Sequence, residues 1–273
     1  TGTKEGCAEG GCGACTVVLG ELENNEINYR AINSCITLLP TVEGKQLILV
    51  EDLTSKDGEL HPVQEAMVKY HGSQCGFCTP GFVMALFCMF KKYSNFKEDI
   101  IKDSIAGNLC RCTGYKPIIN AAKSLKGKNK IDNFSKNIKN TIKQLKRINN
   151  KSIEIHQKEK KYFAPRYVRE LNKIIKKNIN ITFLSGGTDL SLKITKERKD
   201  INSIVYMNSI NELNYIDNNN KYIEVGASTP LIDLENYIKK YYPDFTKILK
   251  RYGSPQIRNV GTIAGNIATA SPI

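Results

Sequence analysis

The sequence predicts an α+β, multidomain chain, and two features carry that reading. The apolar pattern changes near residue 53 from short alternating or continuous runs to helical spacing. A stretch rich in Lys, Asn and Ile at 126–161 then separates this first part from a second region where strands and helices alternate. Residues 1–53 read as a small sheet, with strands at 16–19 and 27–32, a hairpin turn at 23–26 and a further short strand at 47–50. Residues 54–125 read as helical. Helices at 62–70 and 80–93 each open on a proline suited to the first turn, and shorter ones follow at 100–106 and 118–125. Residues 126–161 are expected to be a linker with some helix and no stable core. In 162–273 a helix is expected at 165–175 and a strand at 181–184 that runs into a Gly-Gly turn. Strands follow at 203–207, 215–216 and 222–225, with a turn at 218–220. A helix at 230–241 and a closing small-residue segment at 253–273 complete the pattern.

The chain of 273 residues has a net charge of +13, which raises nucleic acid or a membrane surface as partners. The charge is local. Residues 116–180 hold 19 Lys/Arg against 4 Asp/Glu, and the remainder is slightly acidic. Phe134 is the only aromatic between Lys126 and Lys161, so the interleaved stacking residues of a nucleic-acid site are lacking. A solvated segment is the favoured reading. The longest apolar run, near 82–90, is about half of what a bilayer requires. The chain opens without Met and stops abruptly at Ile273, so both ends are expected to be cut.

Nine cysteines demand an account. The odd total, tight pairs and absence of a secretory signal disfavour a disulfide framework and favour metal or cluster ligation in a reducing, cytoplasmic compartment. Cys7, Cys12, Cys15 and Cys35 follow the C-x4-C-x2-C…C spacing of plant-type ferredoxins. Gly6, Gly10, Gly11 and Gly13 crowd the loop, letting backbone N–H groups turn toward sulfur. Zinc or free thiols are the weaker reading, because zinc sites normally set two cysteine pairs apart. Cys75, Cys78, Cys110 and Cys112 form a second set. By itself it suits either zinc or an iron–sulfur cluster. Cys88 lies on an apolar helical face and reads as core. His61, His71 and His156 show no mutual ligand spacing and read as structural or exposed.

Two further pieces are ambiguous alone. Phe183, Leu184, Ser185, Gly186, Gly187, Thr188, Asp189 and Leu190 form a strand and Gly-Gly turn, which is either a phosphate cradle or an ordinary tight turn. The run from Arg258 to Pro272, with Thr262, Gly265, Asn266 and Thr269, is equally open. No Ser/His/Asp triad or carboxylate pair requires a catalytic explanation.

Taken together, these motifs resemble the xanthine dehydrogenase/aldehyde oxidase family of molybdenum hydroxylases. The stretches Gly6 to Cys15, Gln74 to Gly81 and Gly107 to Tyr115 are similar to that family's two cluster signatures. The order is most like the iron–sulfur/FAD small subunit of the bacterial xanthine dehydrogenases in that family. The resemblance implies a β-grasp ferredoxin-like region at 1–53, its first strands falling before Thr1. A helical 2Fe–2S domain at 54–125, a linker and the N-terminal part of an α+β FAD-binding domain at 162–273 would follow. It implies that Cys7, Cys12, Cys15 and Cys35 hold a 2Fe–2S cluster nearer FAD, and that Cys75, Cys78, Cys110 and Cys112 hold one nearer molybdenum. Gln74 would face the molybdopterin. Phe183 through Leu190, Thr262, Gly265, Asn266 and Thr269 would hold FAD.

The implied function is that of an oxidoreductase relay. Electrons pass from a molybdopterin centre on a partner chain or further domain, through both clusters, to FAD and then NAD or another acceptor. Xanthine or hypoxanthine is the expected substrate, and a hetero-oligomer the expected assembly, with no nucleic acid and no membrane. Aldehyde, nicotinate or aromatic acyl-CoA relatives are alternatives. A zinc-stabilised nucleic-acid-binding module is the reading from another class.

Overall fold

The computed structural model describes residues 2–128, 131–148, 151–219 and 221–271. Parts of the expected linker, Asn220 of the expected 218–220 turn, and Pro272 and Ile273 of the closing segment lie outside the described residues. The chain forms two compact units. The first comprises Thr1–Cys35, Val42–Asn149 and Ser254–Gln256, and the second Ile36–Thr41, Asn150–Gly253 and Ile257–Ile273.

In the first unit, β1 (Thr16–Glu23) pairs antiparallel with β2 (Glu26–Asn33), from Thr16↔Asn33 to Glu23↔Glu26. Asn24 and Asn25 make the turn with φ of 48° and 64°, the conformation a two-residue hairpin loop needs. Strand β3 (Gln46–Ile48) pairs antiparallel on the other edge of β1, giving the order β2-β1-β3. The stretch expected as strand to residue 50 instead leaves the sheet after Ile48 and tightens into a 3-10 turn at Val50–Leu53. Helix α2 (Thr79–Lys92) packs on β1 and β2, α1 (Pro62–Lys69) and α3 (Glu98–Ser104) pack on α2, and α4 (Lys116–Lys123) packs on α1 and α3.

Helix α2 is apolar nearly all round, and it runs through the middle of the core. Phe82, Phe87 and Phe90 are fully buried there with Val18, Ala31 and Ile48 of the sheet. Each of these Phe, Val and Ile side chains contributes about 1.5–3 kcal/mol on burial. Cys88 packs on the same core, its thiol against the Tyr29 carbonyl at 3.3 Å.

The segment expected as a linker carries more structure than its composition suggests. It holds α5 (Asn133–Lys136) and α6 (Ile138–Ile148) in the first unit, then β4 (Ile153–Gln157) and β5 (Lys160–Ala164) in the second. Leu145 of α6 is buried and Phe134 packs on the core. Asp132 fastens the start of this segment. His61 Nε2 lies 3.2 Å from its carboxylate, Lys91 Nζ lies 3.0 Å away, and the Ser135 N–H donates to it at 2.8 Å.

The second unit is built on a four-stranded mixed sheet. β5 lies antiparallel to β4 and parallel to β7 (Ser203–Tyr206), which is also parallel to β6 (Thr182–Leu184). Helix α7 (Val168–Lys177) begins three residues later than expected. The Pro165 carbonyl is taken by the Ser209 hydroxyl, and the Arg166 N–H, just ahead of the helix, donates to Glu170 in its first turn. Helix α8 (Leu190–Thr195) follows the Gly-Gly turn, and β8 (Ile216–Asn218) pairs with β9 (Ile223–Val225). Helices α9 (Leu231–Ile238) and α10 (Pro243–Arg251) close a small core around Leu231, Leu234, Ile238 and Leu249. The closing segment contains two short helices, α11 (Pro255–Arg258) and α12 (Ile263–Ala268), where only loops were expected. Among the described residues no helix is long and apolar enough to cross a membrane.

Candidate functional site

The first cysteine loop is tightly wound. Gly10 and Gly13 have φ of 78° and 69°, and even Ala8 sits at 54°. This winding aims backbone donors inward: the N–H groups of Gly11 and Cys12 both reach Cys7 Sγ at 3.3 Å. Burial pushes the Cys7 thiol up, but hydrogen bonds from the Glu9, Cys12 and Gly11 backbone outweigh it and leave it lowered. Cys15 Sγ lies 3.2 Å from Cys35 Sγ. That contact lowers Cys15 to about 6 and pushes Cys35 up. Asn33, buried at the end of β2, donates to the Gly10 carbonyl at 2.9 Å and pins the loop onto the sheet.

The second set also meets in pairs. The thiol of Cys75 interacts with that of Cys112 at the surface, and the thiol of Cys78 with that of Cys110 just beneath it. Burial, together with the bond to Cys110, raises Cys78 to about 12. Burial also pushes Cys110 up, but the hydroxyl and N–H of Thr113 with the Cys112 backbone hold it below its ordinary value. A thiolate is the form that binds metal, so these donors favour ligation. Gln74 stands exposed beside Cys75.

None of the nine cysteines is in a disulfide. Among the described residues no three His, Cys, Asp or Glu side chains converge tightly enough to hold one metal ion. Thiols gathered in pairs, as Cys15 is with Cys35, match a dinuclear cluster with two thiolates per iron. The donor sets fit 2Fe–2S clusters.

The two cysteine loops touch each other inside the first unit. The Leu109 N–H donates to the Cys12 carbonyl at 2.9 Å. Buried Asn108 donates to the Gly13 carbonyl at 2.9 Å and to Thr16 Oγ1 at 3.2 Å, and it accepts from the Gln256 side chain at 2.9 Å. A Cβ on Gly13 would sit 2.1 Å from the Gly107 carbonyl oxygen, so only glycine permits this approach. Asn33, Asn108 and Gln256 carry no spacing signal; they act through partners distant in sequence.

In the second unit the two expected flavin pieces also meet. The Ser185 hydroxyl donates to Asn208 Oδ1 at 2.5 Å and lies 3.1 Å from Thr262 Oγ1. Gly186 is packed on the chain at Val260, where an added Cβ would lie 2.1 Å from the carbonyl oxygen. Gly187, at φ 73°, turns the chain into α8, whose Ser191 N–H bonds back to its carbonyl at 3.0 Å. Thr262 caps α12 by accepting from the Gly265 N–H at 3.1 Å, and the Asn266 amide donates to the Tyr252 hydroxyl at 3.0 Å. Leu184 is buried in the sheet, while Phe183, Asp189 and Thr269 are exposed. Backbone N–H groups of a Gly-Gly turn beside Ser and Thr hydroxyls fit a pyrophosphate.

Arg258 organises the approach to this segment. It is fully buried, lies 3.2 Å from Glu235, and donates to the carbonyls of Lys250, Tyr252 and Gly253 at 3.0–3.3 Å. The Glu235 contact is an ion pair without good hydrogen-bond alignment.

Residues 49–123 match the family model of a [2Fe-2S] binding domain, and residues 153–273 match that of the FAD binding domain in molybdopterin dehydrogenase. Xanthine dehydrogenase of Emericella nidulans is 32% identical over 330 residues, covering all of this chain and 24% of that protein. Xanthine dehydrogenase 1 of Arabidopsis thaliana is 31% identical over 341 residues, covering all of this chain and 25% of that protein. Aldehyde oxidoreductase from Desulfovibrio gigas is 34% identical over 45% of this chain and 13% of that one, with a TM-score of 0.40. The chain belongs to the molybdenum hydroxylase family and carries its iron–sulfur and FAD-binding portion. It spans about a quarter of the length of the curated relatives it matches.

Proposed function

We propose that the chain is the electron relay of a xanthine dehydrogenase-like enzyme, linking a molybdopterin centre to FAD and then to NAD or another acceptor. The observation that carries this reading is the direct contact of two four-cysteine loops, each already gathered into thiol pairs, through the Leu109 N–H and the Cys12 carbonyl. Cys7, Cys12, Cys15 and Cys35 hold one 2Fe–2S cluster; Cys75, Cys78, Cys110 and Cys112 hold the other. When bound, such clusters carry single electrons and FAD accepts them one at a time, which suits a path between two-electron centres.

The chain's own groups hold and tune these cofactors. N–H groups of Gly11 and Cys12 stabilise negative charge at Cys7 Sγ, and Thr113 does so at Cys110 Sγ. Phe183 through Leu190 with Thr262, Gly265, Asn266 and Thr269 hold FAD. Gln74, beside the exposed Cys75, faces the molybdopterin of a partner subunit or further domain. The names of the relatives favour xanthine or hypoxanthine as substrate, and thiol ligands suit the reducing cytoplasm.

The ligand reading is tested with Cys110→Ser in the anaerobically reduced protein. One of two electron-paramagnetic signals is expected to vanish. Survival of both overturns the assignment.

A further inference from the structure

Tyr115 stands at φ 65° and ψ −26°, immediately after Gly114 at φ 63°. Bulky side chains rarely adopt this left-handed conformation, and where they do, the surroundings hold them in it. Here the strained turn folds the phenol back over the second cysteine loop. The Cys110 N–H donates to the Tyr115 hydroxyl oxygen at 3.0 Å. The Tyr115 N–H in turn donates to Thr113 Oγ1 at 3.2 Å, and that oxygen lies 3.1 Å from Cys110 Sγ. The Thr113 N–H points at the same sulfur at 3.5 Å. The Tyr115 ring is clamped edge-on against fully buried Phe82, with centroids 6.2 Å apart.

The donors around Cys110 are therefore sorted. Its sulfur receives hydrogen bonds from Thr113, while its own N–H is turned away and occupied by the phenol. In the first loop the opposite holds, since the N–H of Cys12 is itself aimed at a ligand sulfur. Each N–H directed at a cluster sulfur stabilises the extra electron of the reduced state and raises the potential. Withholding one keeps the potential low.

We propose that Tyr115 is a positioning residue for the second cysteine set, its phenol sequestering the Cys110 N–H from the sulfurs, and so lowers the potential of the cluster held there. This rests on Cys75, Cys78, Cys110 and Cys112 being the ligands of a 2Fe–2S cluster.

The test is an anaerobic redox titration of the cluster-loaded full chain, read by electron paramagnetic resonance. In Tyr115→Phe the ring packing is kept and the Cys110 N–H is released. The midpoint of the signal that Cys110→Ser abolishes is expected to move upward with altered g-values, while the other signal keeps its midpoint. An unmoved midpoint, a downward shift, or an equal shift of both signals overturns the proposal. Thr113→Val provides a second arm, because it leaves the phenol in place and removes the hydroxyl donor. It is expected to shift the same midpoint downward, and an upward shift or none contradicts the sorting of donors. Wild-type protein lacking two signals would refute the ligand reading itself. Two signals with an immobile midpoint would refute only the role of Tyr115.

Discussion

The Leu109 N–H donates to the Cys12 carbonyl across 2.9 Å, so the backbone beside one candidate ligand, Cys110, is bonded to the backbone of another, Cys12. Asn108 and Gly13 are the means of that approach. Asn108 satisfies the Gly13 carbonyl, and Gly13 has no side chain to keep the loops apart. Gly13→Ala places a methyl group in a left-handed position against the Gly107 carbonyl, at a backbone cost of about 1–2 kcal/mol before any clash is counted. The expected result is loss of iron from both cysteine sets, measured by metal analysis of the folded protein. Full iron occupancy would show that the loops do not depend on this contact.

Gly186→Ala separates flavin binding from the clusters. The added methyl group would collide with the Val260 carbonyl and open the contact between the two flavin segments. Flavin absorbance is expected to disappear from the purified protein while the iron–sulfur spectrum persists. Retention of flavin contradicts the placement of the site.

Arg258 is fully buried and ties Glu235 to three carbonyls at the C-terminal end of α10 and just after it. Arg258→Ala leaves the Glu235 charge without this partner and frees those carbonyls, so a loss of about 3–5 kcal/mol is expected. Denaturant unfolding of the variant measures it. A change within about 0.5 kcal/mol, the range of an ordinary surface substitution, is the contrary result.

Asp132 makes stability depend on acid. Burial raises its pKa, but the His61 hydrogen bond, the Ser135 N–H and Lys91 outweigh this and hold the carboxyl well below its ordinary value. Its stabilisation is therefore present above the unfolded carboxyl value, near pH 4, and is lost as pH falls through the lower folded value. Asp132→Asn is expected to be less stable at pH 7 by about 3–5 kcal/mol, because Lys91 loses its buried partner. Its acid limb is also expected to be flatter than that of the parent. Parallel stability profiles for the two proteins from pH 7 down to about pH 2 would contradict this role.

Much of the candidate site was legible because its cysteines are clustered in sequence. The Cys7, Cys12 and Cys15 spacing and the surrounding glycines announced inward-facing N–H groups, which Gly11 and Cys12 supply. The Asn24-Asn25 hairpin was legible because its turn residues tolerate positive φ. What escaped is non-local. Pairing of Cys75 with Cys112 and Cys78 with Cys110 depends on loops far apart in the chain, as do Asn33, Asn108, Gln256 and Asn208. The helical segment beyond Ile131 was obscured by its lysines. Its narrow apolar face, from Ile138 through Ile142 to Leu145, is outnumbered by solvated residues, and Asp132 makes its attachment through partners on distant helices. Helix α10 was missed for the same reason, since only Thr246 and Leu249 of it are buried.

Elemental analysis of anaerobically purified protein, with acid-labile sulfide measured on the same sample, tests most directly whether the eight thiols hold a pair of two-iron clusters. About four iron and four sulfide per chain are expected, in a red-brown preparation. A colourless protein containing stoichiometric zinc and no labile sulfide would contradict the account.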